Sequence, residues 1–299
     1  MNNNSIQDQL DAQSENQPVE PQTAEIPLLT DEAMRNDSRK TDIVEVNFAT
    51  QTARVVNTSD APKLTLDVVK EKSAPIQPEK IIFDQKEWQV MVKMGVPFAV
   101  NAKHSKFVEQ AKDTEDPAEL KALDNTVKNL YISEMIDSPK FSFEGKGEGK
   151  PIEECSDILR DELYSAFSRK NNPLVDDIWQ VTVLRGTPIH TSILLTDSFS
   201  IYPAPLQKRV VDMTDSEIEQ TTQRSLSQRR ILVSSMVFPS GFTFSLNGEV
   251  SEGELYPIED VSELFLATLY KAYRVANIPE AAIASLHRFP EVGRNNNGA

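Results

Sequence analysis

The chain contains one pattern of residues twice. Trp88-Gln89-Val90-Met91-Val92-Lys93-Met94-Gly95-Val96-Pro97 aligns without a gap on Trp179-Gln180-Val181-Thr182-Val183-Leu184-Arg185-Gly186-Thr187-Pro188, 91 positions on, with six identities in ten. Leu130 to Ile136 resembles Ile231 to Val237, and Phe141-Ser142-Phe143 resembles Phe242-Thr243-Phe244, both 101 positions apart. Pro151 to Pro173 matches Pro257 to Pro279 at 106, with nine identities in 23 positions, among them Tyr164/Tyr270 and Asn171/Asn277. The blocks keep their order while the offset only grows, as insertions of ten and then five residues in the second copy would produce. A tandem duplication constrains a fold strongly, because each copy must build the same small core. Two units of about 90–105 residues are expected, over residues 81–175 and 176–282, with residues 283–299 as a tail.

Reading both copies together sharpens the expected elements. Asp116-Pro117-Ala118-Glu119 offers an N-cap, a proline at the first helical turn and an acid two positions later, and predicts a helix over 117–136. Thr214-Asp215-Ser216-Glu217 has the form of a capping box for the matching helix. Ser156 and Ser262 are placed as N-caps of a final amphipathic helix in each copy. Trp88–Met94 is a short apolar run that periodicity alone leaves open between strand and helix, ended by Gly95 and Pro97. The β-branched and aromatic stretch Ser192–Tyr202, where the ten-residue insertion falls, predicts inserted β structure or an excursion in the second copy. The expected class is mostly α with minor β: two tandem copies of a small helical unit preceded by a disordered N-terminal segment.

That segment, residues 1–80, holds one of the 21 aromatic residues (Phe48), none of the ten glycines and six of the eighteen prolines. Such a composition buries too little apolar surface to offset about 1–2 kcal/mol of backbone entropy per residue, so an acidic, polar, disordered leader is expected. The strand-like residues Ile43, Val44, Val46, Phe48, Val55, Val56 and Leu64 to Val69 leave open a pairing of 41–70 with a partner or with the folded body.

A formal net charge of −15 argues against coating nucleic acid or an anionic membrane, since phosphate binding relies on a basic surface. One cysteine, Cys155, excludes an intramolecular disulfide, and three scattered histidines leave little for a metal centre. No apolar run approaches the roughly 18–20 residues of a membrane span, and the polar N-terminus is unlike a signal peptide, so an intracellular protein is expected. Glu144 to Lys150 lacks the spacing and the Ser or Thr of a phosphate-cradling loop, and neither HExxH nor G-x-S-x-G occurs. Arg224, Arg229, Arg230, Lys208 and Arg209 read as a solvated helix face, with a local acidic partner as the other reading. No catalytic, cofactor-binding or metal-ligating residues emerge, and no cofactor is expected. The candidates for core or partner contact are the repeat-equivalent residues Trp88, Gly95, Pro97, Met135, Phe141, Phe143 and Tyr164 in the first copy. In the second they are Trp179, Gly186, Pro188, Met236, Phe242, Phe244 and Tyr270. Large aromatics at equivalent positions are most simply core anchors, with a recognition surface as the other role.

The order of features carries a resemblance. Gly95-Val96-Pro97 after a short apolar segment, a helix, an aliphatic stretch ending in Asp137-Ser138-Pro139-Lys140-Phe141, and Pro151-Ile152-Glu153-Glu154 leading into a last amphipathic helix resemble the small tail assembly chaperones of long-tailed bacteriophages. The likeness spans 86–173 and recurs more loosely over 177–279. It implies a non-enzymatic assembly factor that binds a tape measure or tail tube protein during tail morphogenesis in the host cytoplasm. The long leader and the duplication keep a structural virion protein, a minor head, neck or tail component, as the alternative. The sequence leaves the oligomeric state undetermined.

Overall fold

Alternation of buried and exposed residues in Ile76–Phe83 and Lys86–Lys93 marks two strands, β3 and β4, and the turn between them decides that they pair. Asp84 and Gln85 both take positive φ (53° and 58°), the signature of a two-residue type I′ hairpin turn, with Phe83 opposite Lys86. The computed structural model that contains this hairpin describes residues 40–137, 152–204, 208–247 and 254–278. After β4 the chain turns at Gly95, runs through helices α2 (Phe98–Lys112) and α3 (Pro117–Met135), and returns as the two-residue strand β5 (Ile136–Asp137) beside β4. A 3-10 turn at Ile152–Glu154 then leads into helix α4 (Asp157–Asn171). Ile81, Val90, Val92, Ile132, Met135, Leu163 and Phe167 form the core of this first unit.

The same order follows again. Strand β6 (Ile178–Leu184), helices α5 (Ile189–Ile201) and α6 (Asp215–Met236), strand β7 (Val237–Phe238), a 3-10 turn at Ile258–Asp260 and helix α7 (Glu263–Asn277) repeat β4 through α4. A parallel pair, β8 (Thr243–Ser245) with β9 (Leu255–Pro257), stands between β7 and that turn. Capping fixes the helix starts as the local sequence demands. Asp116 accepts from the Ala118 N–H, Ser156 from Leu159, Ser262 from Phe265, and Thr214 with Glu217 closes a reciprocal box.

The second unit takes its first strand from the other end of the sequence. β1 (Thr41–Asn47) pairs antiparallel with β6, placing Val46 opposite Trp179 as β3 places Ile81 opposite Trp88. β2 (Thr52–Val56) extends the sheet to the order β2-β1-β6-β7, and helix α1 (Leu66–Lys72) sends Val69 into the same core. Phe48 stacks on Phe265 with ring centroids 4.1 Å apart. Val44, Val46, Phe48, Leu64 and Val69 are all buried with Val181, Val183 and Leu269, each contributing about 1.5–3 kcal/mol by removal from water. The first unit is thus inserted, in sequence, between two parts of the second.

Two expectations are overturned here. The class is α/β, with seven α-helices and nine strands in three sheets among the described residues, and not a mostly α chain of two tandem helical units. Trp88 and Trp179 lie near the starts of β4 and β6, so each repeat opens on an interior strand of a sheet. Nor is the whole of 1–80 a disordered leader: residues 40–80 supply β1, β2, α1 and most of β3, while 1–39 lie outside the described residues. The mean composition of eighty residues conceals a seven-residue strand whose partner lies more than a hundred positions away.

The inserted β segment is also corrected. Ile189–Ile201 is a helix. Ser192, Thr196 and Ser200 hydroxyls donate to the carbonyls of Pro188, Ser192 and Thr196, four residues back, and β-branched residues cost a helix only a few tenths of a kcal/mol each. The insertion falls after this helix, partly before Thr214 and partly within α6, which has 22 residues where α3 has 19.

Candidate interface between the units

The most distinctive junction begins with two glycines. Gly95 and Gly186 both take positive φ, 91° and 75°, at the turn between strand and helix. Each N–H is received by an asparagine at the end of its unit's last helix: Gly95 by Asn171 Oδ1 at 2.7 Å, Gly186 by Asn277 Oδ1 at 2.8 Å. The amide nitrogens donate in turn to Lys93 and Phe167 carbonyls for Asn171, and to Leu184 and Tyr273 carbonyls for Asn277. This device pins strand, turn and closing helix together in both units.

At Gly95 the device also meets the other unit. A β-carbon added there would stand 2.2 Å from the Leu264 backbone nitrogen, and the Leu264 N–H donates to the Met94 carbonyl at 3.5 Å. Farther along, Phe98, Ala99 and Ala102 of α2 pack on Val210, Met213 and Ile218, and Lys106 Nζ donates to the Met213 carbonyl at 3.2 Å.

Two hollows flank the Gly95–Leu264 contact. One, of about 240 Å³, is polar and lined in part by Asn101, Asn172, Arg229 and Glu263. Burial raises the Glu263 carboxyl above its ordinary range, opposed by Arg229 and Arg230. Burial likewise lowers the neighbouring Lys271, joined by repulsion from Arg229 and Arg274, while its ammonium donates to the Gln51 carbonyl at 2.6 Å. The other hollow, of about 440 Å³, is a groove with an apolar floor of Phe48, Met94, Leu264 and Phe265 and walls at Pro173 and Val175. Glu71, Lys72, Arg169, Lys170, Asp176 and Asp177 rim it with both signs of charge. Its edge is braced: Lys72 Nζ donates to Asp177 at 3.0 Å and stands 5.8 Å over the Trp179 ring, and Asn47 Nδ2 donates to Asp176 at 2.8 Å. Leu174 and Val175, between the units, are exposed.

The repeat-equivalent candidates divide by role. Met135, Met236, Phe242 and Phe244 are buried core. Trp88 and Trp179 pack at the margins of their units' cores, their indole N–H groups donating to the Phe83 carbonyl and to Asp177. Tyr164 and Tyr270 are half-buried in aromatic clusters with Phe167 and Tyr273. Pro97 and Pro188 stand at the N-caps of α2 and α5. Phe141 and Phe143 lie outside the described residues, as does His287. Among the described candidates, Gly95 stands at the junction between the units, its backbone against Leu264. Asn171 and Asn277 are not among the candidates read from the sequence, although their identity in both copies is a signal for them.

The basic cluster is not a plainly solvated face. Arg224 lies 4.7 Å over the Phe199 ring and donates to the Tyr202 carbonyl, Arg229 stands over Tyr270, and Lys208 and Arg209 pair with Glu217 and Asp212. Arg230 Nε is buried without a hydrogen-bond partner among the described residues. Among those residues no group of three His, Cys, Asp or Glu side chains is placed to hold a metal ion, and no helix is long and apolar enough to cross a membrane. Comparison with protein-family models, with curated proteins and with solved structures finds no match to the chain.

Proposed function

We propose that the chain is a non-enzymatic bacteriophage assembly factor of the tail assembly chaperone kind, which receives a segment of a tape measure or tail tube protein in the groove between its units. The groove carries this reading. An apolar floor of Phe48, Met94, Leu264 and Phe265 inside a rim of mixed charge suits an amphipathic segment whose apolar side is buried and whose polar side stays wet. Its volume of about 440 Å³ is enough for a few side chains. The resemblance over 86–173 selects the partner class. The test is co-purification with a tape measure and a tail tube protein at low and moderate salt, with Val175→Asp as the variant, since Val175 is 78% exposed and its loss leaves the core intact. Capture of either protein, reduced at least about tenfold by Val175→Asp, is the expected result. Empty pull-downs with both would overturn it, and stoichiometric presence in purified particles would assign the protein to the virion itself.

A further inference from the structure

The interface between the units has two faces, and each recurs uncovered elsewhere on the molecule. On α2, Phe98, Ala99 and Ala102 meet the second unit; 91 positions on, the same places of α5 hold Ile189, His190 and Ile193. The two helices sit alike on their own units, for Val100 and its counterpart Thr191 are both buried. The outward places differ. Ala102 is 1% exposed under the second unit, whereas Ile193 is 56% and Ile189 81% exposed.

The receiving face shows the converse. In the second unit Ile218 and Leu264 are 4% and 8% exposed beneath α2 and Gly95. At the offset of 106 Leu264 falls on Ile158, 71% exposed, and Leu120, as far from its N-cap as Ile218 is from its own, is 41% exposed. Gly186 agrees with this: a β-carbon there would meet nothing within 4 Å, whereas at Gly95 it would strike the start of α7.

We propose that a second copy of this chain covers these faces, α5 of one copy docking on the starts of α3 and α4 in the first unit of the next. The contact repeats, head to tail, the pairing of a first helix with the starts of the two later helices that is already present inside the chain. Val210 and Met213 have no counterpart in 113–116, and Ile193 in place of Ala102 adds apolar volume on the opposite side of that gap. Without the tether that joins the units internally, the contact forms in a concentration-dependent way. Because its two halves are different surfaces, it builds a ring where the rotation closes and an open filament where it does not.

The experiment is sedimentation velocity and light scattering over a concentration series on the full chain, on Ile193→Asp, on Ile158→Asp, and on an equimolar mixture of the two variants. Both side chains are exposed, so each variant keeps the wild-type circular dichroism and melting temperature. The wild type is expected to grow past dimer with concentration, and each variant to associate at least about tenfold more weakly. The mixture forms dimers and stops there, since each variant retains one intact face. A wild type that stays monomeric into the millimolar range would overturn the proposal. So would assembly indifferent to both substitutions, or assembly abolished by Ile193→Asp and untouched by Ile158→Asp, which would mean a symmetric contact through α5 alone.

Discussion

Asn171 Oδ1 accepts the Gly95 N–H at 2.7 Å, and Asn277 repeats the bond to Gly186 at 2.8 Å, yet the two bonds sit in different surroundings. Asn171 is 2% exposed, and two of its three hydrogen bonds, to the Gly95 N–H and the Phe167 carbonyl, are buried. Removing a partner from a buried backbone group costs about 1–3 kcal/mol. Asn277 is half-buried and its glycine N–H is open to solvent, so water replaces what is lost. Asn171→Ala is therefore expected to lower unfolding free energy in urea by about 2 kcal/mol, and Asn277→Ala by less than about 1 kcal/mol. Equal losses would mean that burial is not what separates the two sites.

The glycines separate conformation from contact. Gly186→Ala meets open space and carries only the cost of a positive φ, about 1–2 kcal/mol. Gly95→Ala carries that strain and also drives a β-carbon to 2.2 Å from the Leu264 nitrogen, a backbone atom that cannot step aside without moving α7. At least about 3 kcal/mol is expected, together with chemical-shift changes at Leu264 and Glu263 that Gly186→Ala does not produce.

Much of this architecture is legible in the sequence because it is local. The offsets of 91, 101 and 106 align elements that do correspond, and Asp116, Ser156, Thr214 and Ser262 mark helix starts through side-chain oxygens within three residues of the N–H groups they serve. The rest depends on distant partners. Val44 and Val46 alternate as a strand should, but only β6 makes them core, and that pairing crosses the whole first unit. Helix α5 was hidden by its β-branched residues, whose weak preference tertiary structure overrides. The junction at Gly95 was half visible: the glycine recurs in both copies, while its approach to Leu264 depends on how the units meet.

The long-range strand makes its own prediction. Val46→Asp puts a carboxylate opposite Trp179 in a fully buried place, and so is expected to destabilise the second unit by several kcal/mol. Because β1 belongs to that unit, amide exchange should rise across 178–184 and 263–277 although the mutation lies before the first unit in the chain. Protection over 86–93 and 157–171 should fall less. Uniform loss of protection would show that the units unfold together.

The capping box of α6 responds to acid. Lys208 reaches Glu217 Oε1 at 2.5 Å, and the Thr214 N–H and hydroxyl donate to Oε2 at 2.8 and 3.0 Å. Lys208 first, then these two bonds, hold the Glu217 carboxyl at about 2, below its ordinary 4.5. A group whose folded pKa is lowered stabilises the native state fully above its unfolded pKa and loses that contribution as protons bind. The loss runs from about pH 4.5 down to about pH 2. Glutamine keeps an oxygen for the Thr214 N–H but neither titrates nor pairs with Lys208. Glu217→Gln should therefore lower the melting temperature modestly at pH 7 and flatten its decline between pH 4.5 and pH 2, so that the two melting curves converge at the acid end. A constant gap between variant and wild type across that window would show that the capping geometry, and not the carboxylate charge, stabilises the start of α6.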